Sequence, residues 1–94
     1  MDRKVYIEKL DAQLKEWNAR INELKARAEG IKEEKRKEYL QQLEILRGKQ
    51  EMARKKLRDL TEASNEAWQS MTAGVELAWK DLKTAMQNAT EQFK

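Results

Sequence analysis

Between Ile7 and Ile31 the apolar residues recur at alternating steps of three and four. The positions are Ile7, Leu10, Leu14, Trp17, Ile21, Leu24, Ala28 and Ile31. This spacing is the heptad seam of a coiled-coil helix, and a strict seven-residue period favours a left-handed supercoil with a partner helix. We therefore expect residues 3–31 to form a heptad segment that pairs through this seam.

The apolar stripe resumes at Tyr39, eight residues beyond Ile31, and this step inserts a stutter into the heptad pattern. From Tyr39 the stripe stays within an arc of about 100° on a helix. Its members are Tyr39, Leu43, Leu46, Gln50, Ala53, Leu57, Leu60, Ser64, Trp68, Met71, Val75, Trp79, Leu82, Met86, Ala89 and Phe93. Residues 39–94 are thus predicted to form a second amphipathic segment.

An eleven-residue repeat underlies the C-terminal part of this stripe. Its aligned columns contain Ala67, Ala78 and Ala89, then Met71, Leu82 and Phe93, then Trp68, Trp79 and the departure Thr90. Eleven residues make three helical turns with little drift, which favours nearly straight or slightly right-handed packing. The two segments are therefore expected to pack differently.

Three places could turn the chain: Gly30, Gly48 and the stretch 61–65. The third is best supported, because it contains Thr, Ser and Asn, which are poor inside helices and good at their caps. Gly30 lies within a charged helical pattern and is interpreted as a weak point in a continuing helix. A fold-back at 61–65 would lay 65–92 against 33–60 and leave 3–31 free to pair with another chain.

Composition supports an all-α fold. The chain has 94 residues, no proline and three glycines, and 39% of its residues are charged while 6% are aromatic. The common residues are those that lose least on entering a helix. We predict a single unit, a long coiled-coil helix that folds back into a helical hairpin and is oligomeric.

Catalytic chemistry has little support in the sequence. There is no cysteine and no histidine, which removes thiolate sites, the usual general base and the commonest metal ligand. Carboxylate pairs such as Glu34 with Glu38 and Glu62 with Glu66 stand among Lys and Arg at helical spacing, as on a solvated ion-pair face. We expect no enzyme, no cofactor, no metal site and no small-molecule substrate.

The net charge of +3 is unevenly distributed. Residues 32–60 carry ten basic and six acidic groups, whereas residues 61–94 carry three and five. A basic middle could neutralise phosphates, but acids are interleaved and no aromatic is placed among the bases for stacking. Nucleic-acid binding is therefore disfavoured against a solvated face.

The C-terminal stripe has an alternative interpretation as a helix that lies on a membrane surface. Such helices usually carry Lys and Arg beside the apolar face. This segment has three basic residues and more acidic ones, so attraction to anionic lipid would be weak. The bases are Lys80, Lys83 and Lys94, and the acids are Glu66, Glu76, Asp81 and Glu91. Packing on another helix is favoured.

The chain shows no signal-peptide pattern or spanning run, and a cytoplasmic protein is expected.

Two blocks of the sequence combine apolar residues with Trp in a recurring way. The first block contains Tyr6-Ile7-Glu8-Lys9-Leu10, Ala12-Gln13-Leu14, Glu16-Trp17, Ala19, Ile21 and Leu24; the second contains Ala67-Trp68, Met71, Gly74-Val75, Ala78-Trp79 and Leu82. These blocks resemble a family of small bacterial coiled-coil proteins described as stress-response proteins. The likeness covers nearly the whole chain, and the twin Ala-Trp pairs are its least generic part. Asn65 stands where the family often has Gly. The resemblance implies an accessory or protective role without assigned chemistry.

These observations predict a non-enzymatic structural or interaction protein that self-associates and is stress-associated. The expected partners are a second copy or helices of another protein. The residues expected to form interfaces are Ile7, Leu10, Leu14, Trp17, Ile21 and Leu24 for self-association, and Trp68, Met71, Val75, Trp79, Leu82 and Met86 for fold-back or partner packing.

Overall fold

The computed structural model describes residues 2–92, and these form three helices and no strand. Helix α1 spans Arg3–Glu29, α2 spans Glu33–Thr61 and α3 spans Asn65–Gln92. The all-α class and the fold-back are confirmed. Phe93, the last position of the predicted stripe, lies outside the described residues.

The predicted continuity through Gly30 is wrong. Gly30 caps the C-terminus of α1, where its N–H donates to the carbonyl oxygen of Arg27 at 3.1 Å. Helix α2 restarts at Glu33 after the connection 30–32, and Arg36 donates to the carbonyl oxygens of Glu29 and Ile31 at 3.2 and 3.0 Å. The step between Ile31 and Tyr39 that suggested a stutter therefore contains the end of the connection 30–32 and the start of α2.

The predicted turn at 61–65 is confirmed. Ser64 caps the start of α3, because its hydroxyl accepts from the Ala67 N–H at 3.2 Å. At the end of α2 the Thr61 hydroxyl donates to the Leu57 carbonyl at 2.9 Å. Asn65 begins α3, and no described residue has a positive φ. This turn therefore does not need the left-handed conformation that Gly and Asn adopt more readily than other residues.

The helices run up, down and up in a rod of 51 × 18 × 18 Å. Lys49 of α2 bonds Asp81 of α3 at 2.9 Å, and the Tyr39 hydroxyl donates to the Gln92 carbonyl at 2.9 Å, which shows that α2 and α3 are antiparallel. Helix α2 packs against both α1 and α3. The prediction that residues 3–31 stay free is wrong, because α1 is the third helix of the same bundle.

One apolar core runs along the rod. Its buried members come from all three helices: Leu10, Leu14, Ile21, Leu24, Ala28, Leu43, Leu46, Ala53, Leu57, Leu60, Val75, Trp79, Leu82, Met86 and Ala89. The apolar face of each helix therefore covers those of the other two. Gly48, the remaining candidate turn, lies within α2.

Gln50 interrupts this core with a polar layer. It is 4% exposed, and its Nε2 atom lies 3.4 Å from both the Leu14 carbonyl oxygen and the Asn18 Oδ1 atom. A buried amide can bond well in only one register of the neighbouring helix, so such residues fix the alignment of packed helices at some cost in stability. Gln50 favours the observed alignment of α1 with α2.

The Gly30→Ala variant should be more stable than the native chain by about 0.5 kcal/mol. Gly30 has φ −89° and ψ 0°, which any residue adopts, and an added Cβ would meet only the Arg27 carbonyl oxygen at 3.6 Å. Urea unfolding followed by circular dichroism measures the change. A loss of stability would show that this turn depends on glycine's conformational freedom.

Candidate interaction surfaces

The twelve residues predicted to form interfaces all contact the core of their own chain. Eight are buried: Leu10, Leu14, Ile21, Leu24, Val75, Trp79, Leu82 and Met86. Four are partly buried and packed against the core: Ile7, Trp17, Trp68 and Met71. In this fold the heptad seam and the eleven-residue stripe close on each other within one molecule.

Aromatic pairs join α1 to α3. Tyr6 and Trp68 meet edge to face with ring centroids 5.9 Å apart and planes at 67°. Trp17 and Trp79 lie 6.3 Å apart with planes tilted by 47°. Both geometries avoid a face-to-face sandwich, and pairs of this kind stabilise a fold by about 0.5–1.5 kcal/mol beyond the area they bury.

The two pairs repeat with the same spacing. Tyr6 precedes Trp17 by eleven residues, as Trp68 precedes Trp79, so α1 and α3 run parallel in a constant register. The eleven-residue period predicted in α3 therefore has a counterpart in α1. The sequence reasoning treated Tyr6 only as part of a family likeness, although its distance from Trp17 was the signal that could have placed it in this seam.

Arg3 lies against Trp68 at the start of α1. Its guanidinium carbon lies 4.1 Å from the centre of the Trp68 ring. The same group donates to the Ala63 carbonyl at 2.7 Å and to the Asn65 Oδ1 atom at 3.0 Å. A stacked guanidinium uses its planar face and its fork of donors together. Arg3 thus connects the start of α1 to the turn between α2 and α3.

Beyond the Trp17–Trp79 pair, small residues take the positions of the aromatic residues between α1 and α3. Eleven residues beyond Trp17 and Trp79 stand Ala28 and Thr90, both small. Near them lies an open cleft of about 290 Å³ lined by Arg20, Glu23, Leu24, Arg27 and Thr90. Its volume is at the lower limit of ordinary ligand pockets, which span about 300–1,000 Å³. Its charged lining consists of two arginines and one glutamate.

Exposed apolar side chains on α2 form a different surface. Ile45 and Met52 are 58% and 63% exposed, and Gly48 lies between them. A Cβ built on Gly48 would have no atom within 4 Å. The sequence reasoning missed these residues because it followed the most continuous apolar stripe, and they lie on the other side of α2.

Acidic residues form no centre on the surface. Glu34, Glu38, Glu62 and Glu66 are all exposed, and Glu29 is separated from Glu33 by the first turn. Residues 2–92 contain no group of three or more His, Cys, Asp or Glu side chains placed to hold a metal ion. Over the same residues no helix has the length and apolar character required to cross a membrane.

Comparison with protein-family models, with curated proteins and with solved structures finds no significant match to this chain.

The Trp79→Ala variant should lose about 3–5 kcal/mol of unfolding free energy, because it empties the centre of the core. Trp79 is 6% exposed, and its buried indole N–H has no hydrogen-bond partner. Trp79→Phe keeps an aromatic ring and removes this unpartnered donor, so it should cost less. Urea unfolding compares the two.

Leu77→Ala is the control for this pair of variants. Leu77 is on the same helix and is 71% exposed, so truncation should change stability by less than about 0.5 kcal/mol. An equal loss in Leu77→Ala and Trp79→Ala would contradict the position of the core.

Tyr6 should make stability decrease at high pH. Burial raises the pKa of Tyr6 above its ordinary 10.0, and Glu76 raises it further by its negative charge and by hydrogen bonding. A pKa raised on folding means that the neutral phenol is favoured in the folded state. Its stabilising contribution is complete below the unfolded pKa and is lost as pH rises through the folded pKa.

Thermal melts of the native chain and of Tyr6→Phe at about pH 9 and about pH 11 measure this effect. The phenylalanine variant keeps the ring and cannot ionise. The native chain should lose stability relative to Tyr6→Phe at the higher pH. A difference between the two melting temperatures that does not change with pH would contradict the assignment.

Proposed function

We propose that this protein is a non-enzymatic helical interaction protein that self-associates. The observation that carries the proposal is the exposed apolar pair Ile45 and Met52 on α2, which the core of the single chain leaves uncovered. The seams favoured by the sequence are buried within the molecule, so association through them would require the bundle to open. Association through the outer surface of α2 leaves the core intact.

The shape of the molecule supports this proposal. The chain exposes 6969 Å² of surface. A compact monomer of 11.1 kDa exposes about 5,700 Å² by the usual scaling of area with mass. The excess follows from the rod shape, which exposes one side of α2 along its length. A second copy that packs on this side, with the roughly 800 Å² that each partner buries in a standard interface, would require no rearrangement of the core.

A stress-associated role in the cytoplasm is part of the proposal and is supported by sequence alone. The support is the resemblance of the twin Ala-Trp blocks, in which Trp68 and Trp79 are the recurring residues. In the structure both of them pack on α1. In this proposal the repeat stabilises the bundle and the surface of α2 provides the interaction.

The alternative is a protein that lies on membrane surfaces through α3. Its apolar stripe faces the core, and Val75, Leu82 and Met86 are at most 3% exposed. Binding lipid through this stripe would require α3 to detach from α1 and α2. The geometry therefore favours self-association.

Sedimentation equilibrium over a concentration series tests the proposal on the full chain. We expect the mean mass to rise from one chain of 11.1 kDa towards two chains as concentration increases. A mass that stays at one chain throughout the series would refute self-association.

Vesicle flotation of the same intact chain tests the alternative. The protein should stay with the unbound fraction in the presence of neutral and of anionic vesicles. Flotation with either kind would support the membrane-surface interpretation instead.

A further inference from the structure

The outer surface of α2 has a heptad spacing of its own. Gln41, Ile45, Gly48 and Met52 follow one another at steps of four, three and four, and all four are exposed. We name these four residues the outer strip. Such a spacing keeps side chains on one side of a helix and is the pattern by which a second helix packs along it.

Gly48 has no function within the single chain. A glycine inside a helix costs about 0.5–1 kcal/mol relative to alanine. Its φ is not positive, and the space where a Cβ would lie is open. The single chain would therefore gain from any larger helix-forming residue at this position. A close approach by another helix provides a physical reason for glycine here, because only glycine lets two helices come nearest.

On the side of α2 that carries the outer strip, the charges differ between its two ends. Glu34 and Glu38 precede the strip, whereas Lys55 and Lys56 follow it, and all four are exposed. The neighbouring Lys35 and Arg36 point about 110° or more away from the strip, at about 100° per residue. Two copies of α2 in parallel would place acid against acid and base against base. Two antiparallel copies would place the acidic end of each beside the basic end of the other, which is favourable.

Two further charges on this side of α2 obey the same relation. Lys37 lies before the outer strip and Asp59 after it, and both are exposed. They stand eleven residues before and eleven residues after Gly48. A two-fold axis at Gly48 would therefore bring Lys37 of one copy beside Asp59 of the other.

We infer that two copies of this chain associate through the outer strip as antiparallel α2 helices, with a two-fold axis at Gly48. Ile45 of one copy then packs beside Met52 of the other, and each contact occurs twice, as two-fold symmetry requires. This inference depends on the proposed self-association and specifies its surface and direction.

Substitution of Gly48 gives the first test, because opposite effects are expected on folding and on association. Gly48→Gln improves helix propensity and meets no atom within the chain, so its thermal midpoint under dilute conditions should equal or exceed the native one. A glutamine side chain would hold the two helices apart. The dissociation constant of the Gly48→Gln dimer, measured by sedimentation equilibrium, should therefore be about tenfold or more above that of the native dimer.

Met52→Gln and Leu40→Gln form a matched pair on the same helix. The two residues are 63% and 42% exposed. They point about 120° apart around the helix, at about 100° per residue. Met52→Gln should raise the dissociation constant about tenfold, whereas Leu40→Gln should change it by less than about twofold. Equal effects of the two variants would overturn the inference.

Cross-linking determines the direction of the helices, and the chain contains no native cysteine. In the antiparallel arrangement Gln41 of one copy lies beside Lys55 of the other, whereas the two copies of Gln41 are about 20 Å apart at 1.5 Å per residue. A short bismaleimide should therefore link a mixture of Gln41→Cys and Lys55→Cys chains, and neither variant alone. Efficient linking of Gln41→Cys with itself would indicate parallel helices and overturn the inference.

The two proposals can fail separately. A native chain that remains monomeric at every concentration refutes self-association and this surface together. A native chain that dimerises while Gly48→Gln and Met52→Gln dimerise equally well refutes only the outer strip.

Discussion

The distance between α1 and α3 constrains the rest of the bundle. Helix α2 packs directly on both neighbours, whereas α1 and α3 are joined mainly through large side chains. The rings of Tyr6, Trp17, Trp68 and Trp79 fill that separation and set the register of the two parallel helices. Because the pairs recur every eleven residues, the register is fixed at two heights and α1 cannot slide past α3 without losing both contacts.

The ends and the middle of the rod add to this register. Arg3 holds the start of α1 on the second turn, through Ala63 and Asn65. At the other end the Tyr39 hydroxyl bonds the carbonyl of Gln92. Gln50 places a polar layer between them. These contacts are individually modest, and together they select one alignment of the three helices.

Because the core is closed within one chain, a partner can bind this bundle only at its outer surface. The seams that predicted association are used within the chain, so a surface for a second copy has to come from residues that the core leaves exposed. On α2 the outer strip, with Ile45, Gly48 and Met52, is such a surface. Glycine at a position with open space around it is difficult to explain by the stability of one chain, and it is simple to explain by contact between two.

The prediction of the two turns shows how far local sequence rules reach. The turn at 61–65 was predictable because Ser64 makes the N-cap contact that its side chain favours. The turn at Gly30 was not, because its flanking residues continue a charged helical pattern. Gly30 has an ordinary φ of −89°, so this turn is stabilised by backbone contacts and by Arg36, which follows it in the chain.

The sequence by itself determined that the chain is helical and which face of each helix must be covered. Its apolar periods located Leu14, Trp17, Trp79 and Leu82 on such faces, and all of them lie in or against the core. What covers these faces is a property of the tertiary structure. Apolar periodicity indicates that a helix face must be buried, and it does not identify the partner. In the structure, connections of three residues at 30–32 and 62–64 hold the three helices at high local concentration. Because the helices are tethered in this way, the faces close on each other within the same chain, and the outer surface of α2 is left for a second copy.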